Sequence, residues 1–127
     1  MFFRAPAEVA MHWTEIRTRH RGDVTVIDLR GHLTLGDEDR RLMPEVVRLL
    51  GEGRHLFLLN LQHLSYVDST GVGEIVGVYT RVTRHGGDVK LCHVPDRVQE
   101  ILDSTRLDSV LQVIGTEEEA LAIMAHE

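Results

Sequence analysis

HLFLLNLQHLSYVDSTGVG occupies residues 55–73 and carries the strongest structural signals in the chain. Its first part, residues 55–61, is a nearly continuous apolar run, which is typical of a β-strand covered on both faces in a parallel sheet. From residue 70 to residue 84, apolar side chains recur at the spacing of one helix face. The sequence therefore predicts a buried strand and an amphipathic helix, joined by the segment 64–73.

Strands and helices alternate on both sides of this unit. Residues 13–17, 24–29, 88–92 and 110–114 have the β-branched or alternating patterns of further strands, the last of them short. Helical spacing covers 39–50, a stretch that begins with Pro95, and a stretch from Thr116 to about Ala125. This order predicts an α/β fold, with a mixed, mostly parallel sheet of four to five strands and about four helices.

Some local features have simple structural interpretations. Thr116 and Glu119 form a capping-box pattern, and the acidic runs at 37–39 and 117–119 are typical charges of helix starts. Gly73 and Gly77 lie one helical turn apart, which predicts close packing of the helix backbone on the sheet. A flattened docking surface is the alternative interpretation of these two glycines.

The composition limits the classes of function. The chain has 127 residues, a net charge of −6 and no long basic run, which argues against nucleic-acid binding. No apolar run of 18 residues occurs, so direct membrane insertion is not expected. A lone cysteine, Cys92, suits a reducing cytoplasm. Residues 1–11 are interpreted as a flexible N-terminal extension, and residues 12–127 as one domain.

Catalytic and cofactor sites lack their usual sequence patterns. The eight histidines are dispersed without the spacing of a zinc helix, and the glycines after Thr70 lack the lysine of a phosphate-binding loop. Ser69 does not lie in the Gly-x-Ser-x-Gly pattern of a hydrolase nucleophile. Cys92 lies inside an apolar strand, where a thiol is usually inert. We therefore expect no catalytic residue, no metal and no cofactor.

The hydroxyl groups after Asp68 lie where the predicted helix begins. Backbone amides without helical partners and the positive end of the helix dipole favour anionic groups at such a position. A phosphate ester there would be attracted by the helix and repelled by Asp68. The alternative is that Asp68, Ser69 or Thr70 only caps the helix, which contributes about 1 kcal/mol. Both roles are compatible.

Residues 68–73 resemble the Asp-Ser-Ser/Thr-Gly-Leu/Val-Gly signature of the STAS family, which includes sulphate transporters and anti-sigma factor antagonists. The resemblance extends to the strand before this signature, to the helix end at 84–87, to the stretch 98–107 and to the last helix. It covers nearly the whole chain, from about Trp13 to Met124.

The resemblance implies an anti-sigma factor antagonist. Such proteins bind an anti-sigma factor that is also a serine kinase, and the kinase releases itself by phosphorylating the antagonist, which a phosphatase resets. The phosphorylated position corresponds to Ser69 here, with Thr70 as the alternative. The implied partner-binding surface comprises Thr34, Asp68, Ser69, Thr70, Gly71, Val72, Gly73 and Glu74.

Two positions depart from the family pattern and leave the partner open. Thr34 stands where many kinase-binding antagonists have an aspartate, and Glu74 stands where an apolar or small residue is usual. The alternative function is a STAS module used for assembly, either as a subunit of a stress-signalling scaffold or as the cytosolic partner of a lipid transporter.

Overall fold

The structure, a computed structural model, describes residues 14–33 and 42–127. These described residues form one five-stranded sheet and four α-helices. The strands are β1 (Thr14–Arg21), β2 (Val24–Leu33), β3 (Leu56–Val67), β4 (Asp88–Cys92) and β5 (Gln112–Ile114). The helices are α1 (Leu42–Gly51), α2 (Ser69–Arg84), α3 (Asp96–Ser104) and α4 (Glu117–Met124). The predicted extension at 1–11 and the predicted helical residues 39–41 lie outside the described residues.

The strands follow the chain order across the sheet, from β1 at one edge to β5 at the other. The hairpin of β1 and β2 is antiparallel, and the pairs β2–β3, β3–β4 and β4–β5 are parallel. Each parallel pair needs a crossover connection, which α1, α2 and α3 supply in turn. The predicted mixed, mostly parallel α/β sheet is confirmed.

Each face of the sheet has its own apolar cluster. The larger cluster joins the sheet to α1, α2 and α3, and includes the fully buried Phe57, Leu59 and Ile75. The smaller cluster lies between the sheet and α4 and includes Leu58 and Met124. Successive residues of β3 therefore point into opposite clusters, which explains why residues 56–61 show no polar alternation.

β3 is longer than the sequence predicted. It continues past Leu61 to Val67, although this part exposes polar side chains and buries only Leu64 and Val67. The pairing with β2 shifts register twice here, and the amide of Gln62 donates to Oδ1 of Asn60 at 3.0 Å. These irregularities remove the two-residue apolar period on which a sequence-based prediction depends. The segment 64–67 is thus strand rather than connection.

The last strand is shorter than predicted. Residues 107–109 form a 3-10 turn, and the amide of Val110 donates to the carbonyl of Leu107 at 2.9 Å. Val110 is 42% exposed, whereas Leu111 is buried in the larger core cluster. Only Gln112–Ile114 pair with β4, because this turn occupies the backbone groups that would extend the strand.

The first turn of α4 is capped and is also bound to the sheet through side-chain hydrogen bonds. Thr116 caps it as predicted, since its hydroxyl accepts from the Glu119 amide at 3.1 Å. The Glu117 carboxylate accepts from Arg19 at 2.8 Å, from Arg21 at 2.7 Å and from Asn60 at 3.1 Å. These bonds, above all the one from Arg19, lower the pKa of Glu117 to about 2. Glu117 therefore fastens α4 to β1 and β3, which goes beyond the ordinary helix-start charge that the sequence predicted.

Candidate functional site

α2 begins where β2 and β3 end. Asp68 has extended backbone angles, and its Oδ1 accepts from the Gly71 amide at 2.9 Å. The Asp68 amide donates to the carbonyl of Leu33, at the end of β2, at 3.3 Å. Among the three capping residues that the sequence allowed, Asp68 is therefore the one that caps α2, and it also ties the helix to β2.

Gly71 sits directly against the backbone of β2. A Cβ atom there would overlap the Leu33 carbonyl and would lie 2.7 Å from Cγ2 of Val67. A Cβ at Gly73 would meet nothing within 4 Å, and one at Gly77 would lie 3.3 Å from Cε of Met43 in α1. The prediction that Gly73 and Gly77 pack on the sheet is therefore wrong. Gly71 makes that contact, because the first turn of α2 crosses the end of β2.

The sequence-predicted site residues differ in their accessibility. Ser69, the first residue of α2, is exposed, and Thr70 beside it is half-buried. Gly71 and Val72 are buried, whereas Gly73 is exposed one turn along the helix. Ser69, Thr70 and Gly73 therefore reach solvent at the start of α2, whereas Gly71 and Val72 between them face the interior. Thr34, also predicted for this surface, lies outside the described residues.

Glu74 connects α2 to α1. Its Oε2 accepts from the Met43 amide at 3.4 Å, in the first turn of α1. An acidic side chain at a helix N-terminus satisfies an amide that lacks an intrahelical partner and interacts favourably with the helix dipole. The departure from the family pattern at this position therefore has an intramolecular explanation.

An apolar groove lies beside Ser69, between α2 and α3. It has a volume of about 570 Å³ and is lined by Tyr66, Val72, Val76, Ile101, Thr105 and Leu107, among other residues. Tyr66 is 42% exposed at its rim and contacts the His32 ring, with 5.5 Å between the ring centroids. The sequence does not predict this groove, because Val76 and Ile101 have the spacing of core residues within their own helices. An aromatic residue two positions before the helix cap was the available signal.

Removal of the cap should measurably weaken the start of α2. We expect Asp68→Ala to lower the free energy of unfolding by about 1 kcal/mol, since the Gly71 amide loses its acceptor. Asp68→Asn keeps a capping oxygen and is expected to change it by less than about 0.5 kcal/mol. Urea unfolding of both variants, followed by far-UV circular dichroism, checks this. Equal losses in the two variants would contradict a capping role.

The other groups with possible functional chemistry are metal-ligating side chains, the thiol of Cys92 and the imidazole of His93. Within 14–33 and 42–127, no three His, Cys, Asp or Glu side chains come together in a way that could hold a metal ion. Burial raises the pKa of Cys92 to about 12, so its thiol is inert at neutral pH, as the sequence predicted. His93 follows β4, and its Nε2 accepts from the Glu117 amide at 3.1 Å.

No helix within residues 14–33 and 42–127 is long and apolar enough to cross a membrane.

Comparisons with known proteins agree on one family. The STAS domain profile matches residues 15–120. An anti-sigma F factor antagonist of Paenibacillus polymyxa is 29% identical over 109 residues, which cover 84% of this chain and 92% of the relative. An anti-sigma-B factor antagonist of Staphylococcus epidermidis is 33% identical over 89 residues, 66% of this chain and 82% of the relative.

Comparison with solved structures shows the same fold. The Bacillus cell fate determinant SpoIIAA, solved in its phosphorylated form, superimposes with a TM-score of 0.67 and 20% identity, covering 87% of this chain and 99% of that one. The profile match, the sequence relatives and the common fold together show that this chain belongs to the STAS domain family.

Proposed function

We propose that the protein is an anti-sigma factor antagonist, which binds an anti-sigma serine kinase and is released by phosphorylation at Ser69. The observation that carries this proposal is the exposed hydroxyl of Ser69 on the first residue of α2, beside the capping Asp68. The names of the sequence relatives, anti-sigma F and anti-sigma-B factor antagonists, support the same function. Thr70 is the alternative phosphoacceptor, but its half-buried position makes it the poorer substrate.

The position of Ser69 suits a switch that acts through charge. Phosphorylation adds about two negative charges and three acceptor oxygens at neutral pH. The amides of the first helical turn attract this group, whereas the neighbouring Asp68 carboxylate repels it. A partner that covers Ser69 and Gly73 in the unmodified protein would have to desolvate the phosphate in order to bind the phosphorylated protein. This cost weakens the complex. The fold would remain while the binding surface changes.

The partner surface would comprise the exposed start of α2 and the adjoining groove. Ser69, Thr70 and Gly73 supply a polar, flat part, and Tyr66 with Ile101 supplies an apolar part. Interfaces commonly combine an apolar centre with a polar rim. In this function no residue of the chain is catalytic, and the protein acts in the cytoplasm together with its partners. A phosphatase is needed to restore the unmodified serine.

The test compares two substitutions that differ in charge at the same position. Affinity capture from the host should retain a serine kinase with wild type and Ser69→Ala, and Ser69→Glu should lower the affinity of the purified kinase at least about tenfold. Ser109→Glu, which adds the same charge to an exposed serine of the 3-10 turn, is the matched control and should bind like wild type. Phosphopeptide mapping after incubation with kinase and ATP should place the phosphate on Ser69.

Other results would decide against the proposal. If all three Ser69 forms retain the same scaffold subunits or a membrane transporter, the assembly function is correct and Ser69 only begins the helix. Phosphate found on Thr70 alone would move the switch by one residue.

A further inference from the structure

β1 forms an open edge of the sheet in the part of the chain that the structure describes. Its eight residues, Thr14–Arg21, pair with β2 along one side only. In an antiparallel pair, every second residue points its backbone N–H and C=O groups away from the neighbouring strand. The outer side of β1 therefore offers a row of backbone donors and acceptors, to which an extended peptide can add as a further strand.

The side chains of β1 on the α4 side of the sheet are mostly basic. Successive side chains of a strand alternate between the two faces. Positions 15, 17, 19 and 21 lie on the α4 side, since Arg19 and Arg21 both donate to Glu117. Three of these four positions are arginines and one is a glutamate, although the whole chain has a net charge of −6. The charge of this strand is thus opposite in sign to that of the protein.

Arg17 is exposed and has no ion pair with any residue that the structure describes. It lies opposite Asp28 in the sheet register, but both carboxylate oxygens of Asp28 accept from Arg19, at 2.8 and 2.9 Å. The other nearby carboxylate, Glu15, lies 3.8 Å from Arg30. These side chains line an open cavity of about 520 Å³ beside β1. The Arg17 guanidinium is therefore available to an acidic side chain of another molecule.

A second copy of the chain fits this edge poorly. When two β1 strands pair antiparallel along nearly their whole length, Arg17 lies opposite another Arg17 or opposite Arg19. Like charges directly opposite each other destabilise a sheet, and charged residues on edge strands commonly prevent self-association. The same arginines attract an acidic strand. The charge of β1 therefore discriminates between these two occupants.

We propose that β1 binds an extended acidic segment of a partner protein as an additional strand. Acidic residues at alternate positions of this segment face Arg17 and Arg21. The residues between them lie on the other side of the sheet, beside Ile16 and Thr18, where Thr18 donates to Glu45 of α1. Backbone hydrogen bonds supply affinity for any extended chain, and the arginines select an acidic one. The arginines lie on the sheet face opposite to α2, so this inference does not rest on the proposed function.

The test uses synthetic peptides and the isolated full-length protein. The probe is a capped, fluorescein-labelled peptide of alternating Glu and Val, and fluorescence anisotropy measures its Kd. The corresponding peptide of alternating Lys and Val should bind at least about tenfold more weakly. Two further peptides carry N-methyl groups on either the Glu or the Val nitrogens. One of them should lose about tenfold in affinity and the other should bind like the parent, because only alternate N–H groups face β1.

Two charge reversals locate the binding on the protein. Arg17→Glu should weaken binding of the Glu–Val peptide about tenfold, since it replaces an attractive contact by a repulsive one. Arg84→Glu, at the end of α2, makes the same change at another exposed arginine and should leave the Kd unchanged. Hydrogen exchange of wild type should slow at amides within β1 when the Glu–Val peptide is bound.

Other results would overturn the proposal. Equal affinities for the Glu–Val and Lys–Val peptides, or equal losses in the Arg17 and Arg84 variants, would exclude selection of acidic segments by β1. Equal affinities of the two N-methylated peptides would exclude strand addition. Slow exchange of β1 amides without peptide, together with a dimer in sedimentation at the same protein concentration, would assign this edge to a second copy. No measurement involves a kinase or Ser69, so failure here is distinguishable from failure of the proposed function.

Discussion

Gly71→Ala should cause the largest loss of stability of any single methyl addition at the glycines of α2. The new Cβ would overlap the Leu33 carbonyl and approach Cγ2 of Val67, so the start of α2 would have to move away from β2. Relief by a side-chain rotation is impossible at Leu33, because the obstructing atom belongs to the backbone. We expect a loss of about 3 kcal/mol, at the upper end of overpacking costs, and a Tm lower by about 10 °C.

The matched control is Gly73→Ala, two residues along the same helix. Its Cβ would meet open space, and alanine favours a helix interior over glycine by roughly 0.5–1 kcal/mol. We therefore expect this variant to be as stable as wild type or more stable in the same thermal and urea unfolding experiments. Similar losses at both positions would show that Gly71 matters only through helix propensity, and would contradict the proposed contact with β2.

This pair of glycines also illustrates what a sequence can predict. The run 56–61, the helical spacing after it and the signature at 68–73 sufficed to predict the α/β order, because these patterns depend on neighbours within one element. Which glycine contacts the sheet depends on how α2 crosses β2, and Leu33 and Gly71 are far apart in sequence. Local spacing favoured Gly73 and Gly77 because it contains no information about that crossing.

The candidate site was predictable to a similar extent. The place of Asp68 and Ser69 at the start of a helix follows from the sequence, and the structure adds which side chain caps and which is exposed. The groove required knowledge of how α2 and α3 lie side by side, since Val76 and Ile101 have the spacing of core residues in their own helices. The same holds for Glu117, whose partner Arg19 is separated from it by 98 positions.

Glu117→Gln should destabilise the protein strongly at neutral pH and hardly at all in acid. The pKa of Glu117 is lowered from 4.5 to about 2 in the folded protein, chiefly by the bond from Arg19, and the carboxylate is only 12% exposed. A lowered folded-state pKa contributes stability that is present above the unfolded value and is lost as the pH falls towards the folded one. Lowering the pKa of this carboxylate from 4.5 to about 2 corresponds to about 3 kcal/mol of stability at pH 7.

The amide introduced by Glu117→Gln would keep the shape of the side chain and would imitate the protonated acid. The difference in unfolding free energy between wild type and Glu117→Gln should therefore be about 3 kcal/mol at pH 7 and should shrink between about pH 4.5 and pH 2. Urea titrations at a series of pH values, followed by circular dichroism, measure this difference directly. A difference that stays constant down to about pH 2.5 would mean that packing, rather than the charge of Glu117, holds α4 on the sheet.

Glu118→Gln provides the control, because it changes the neighbouring residue in the same way. Its side chain is 76% exposed and contacts Arg21 at 3.1 Å, a surface ion pair that solvent screens. We expect a change below about 0.5 kcal/mol at every pH. The contrast between these adjacent carboxylates follows from the direction of their side chains: Glu117 points between β1 and β3 towards Arg19 and Asn60, and Glu118 points into solvent. One acidic run thus contains a residue that fixes the position of α4 and a neighbour that the fold does not need.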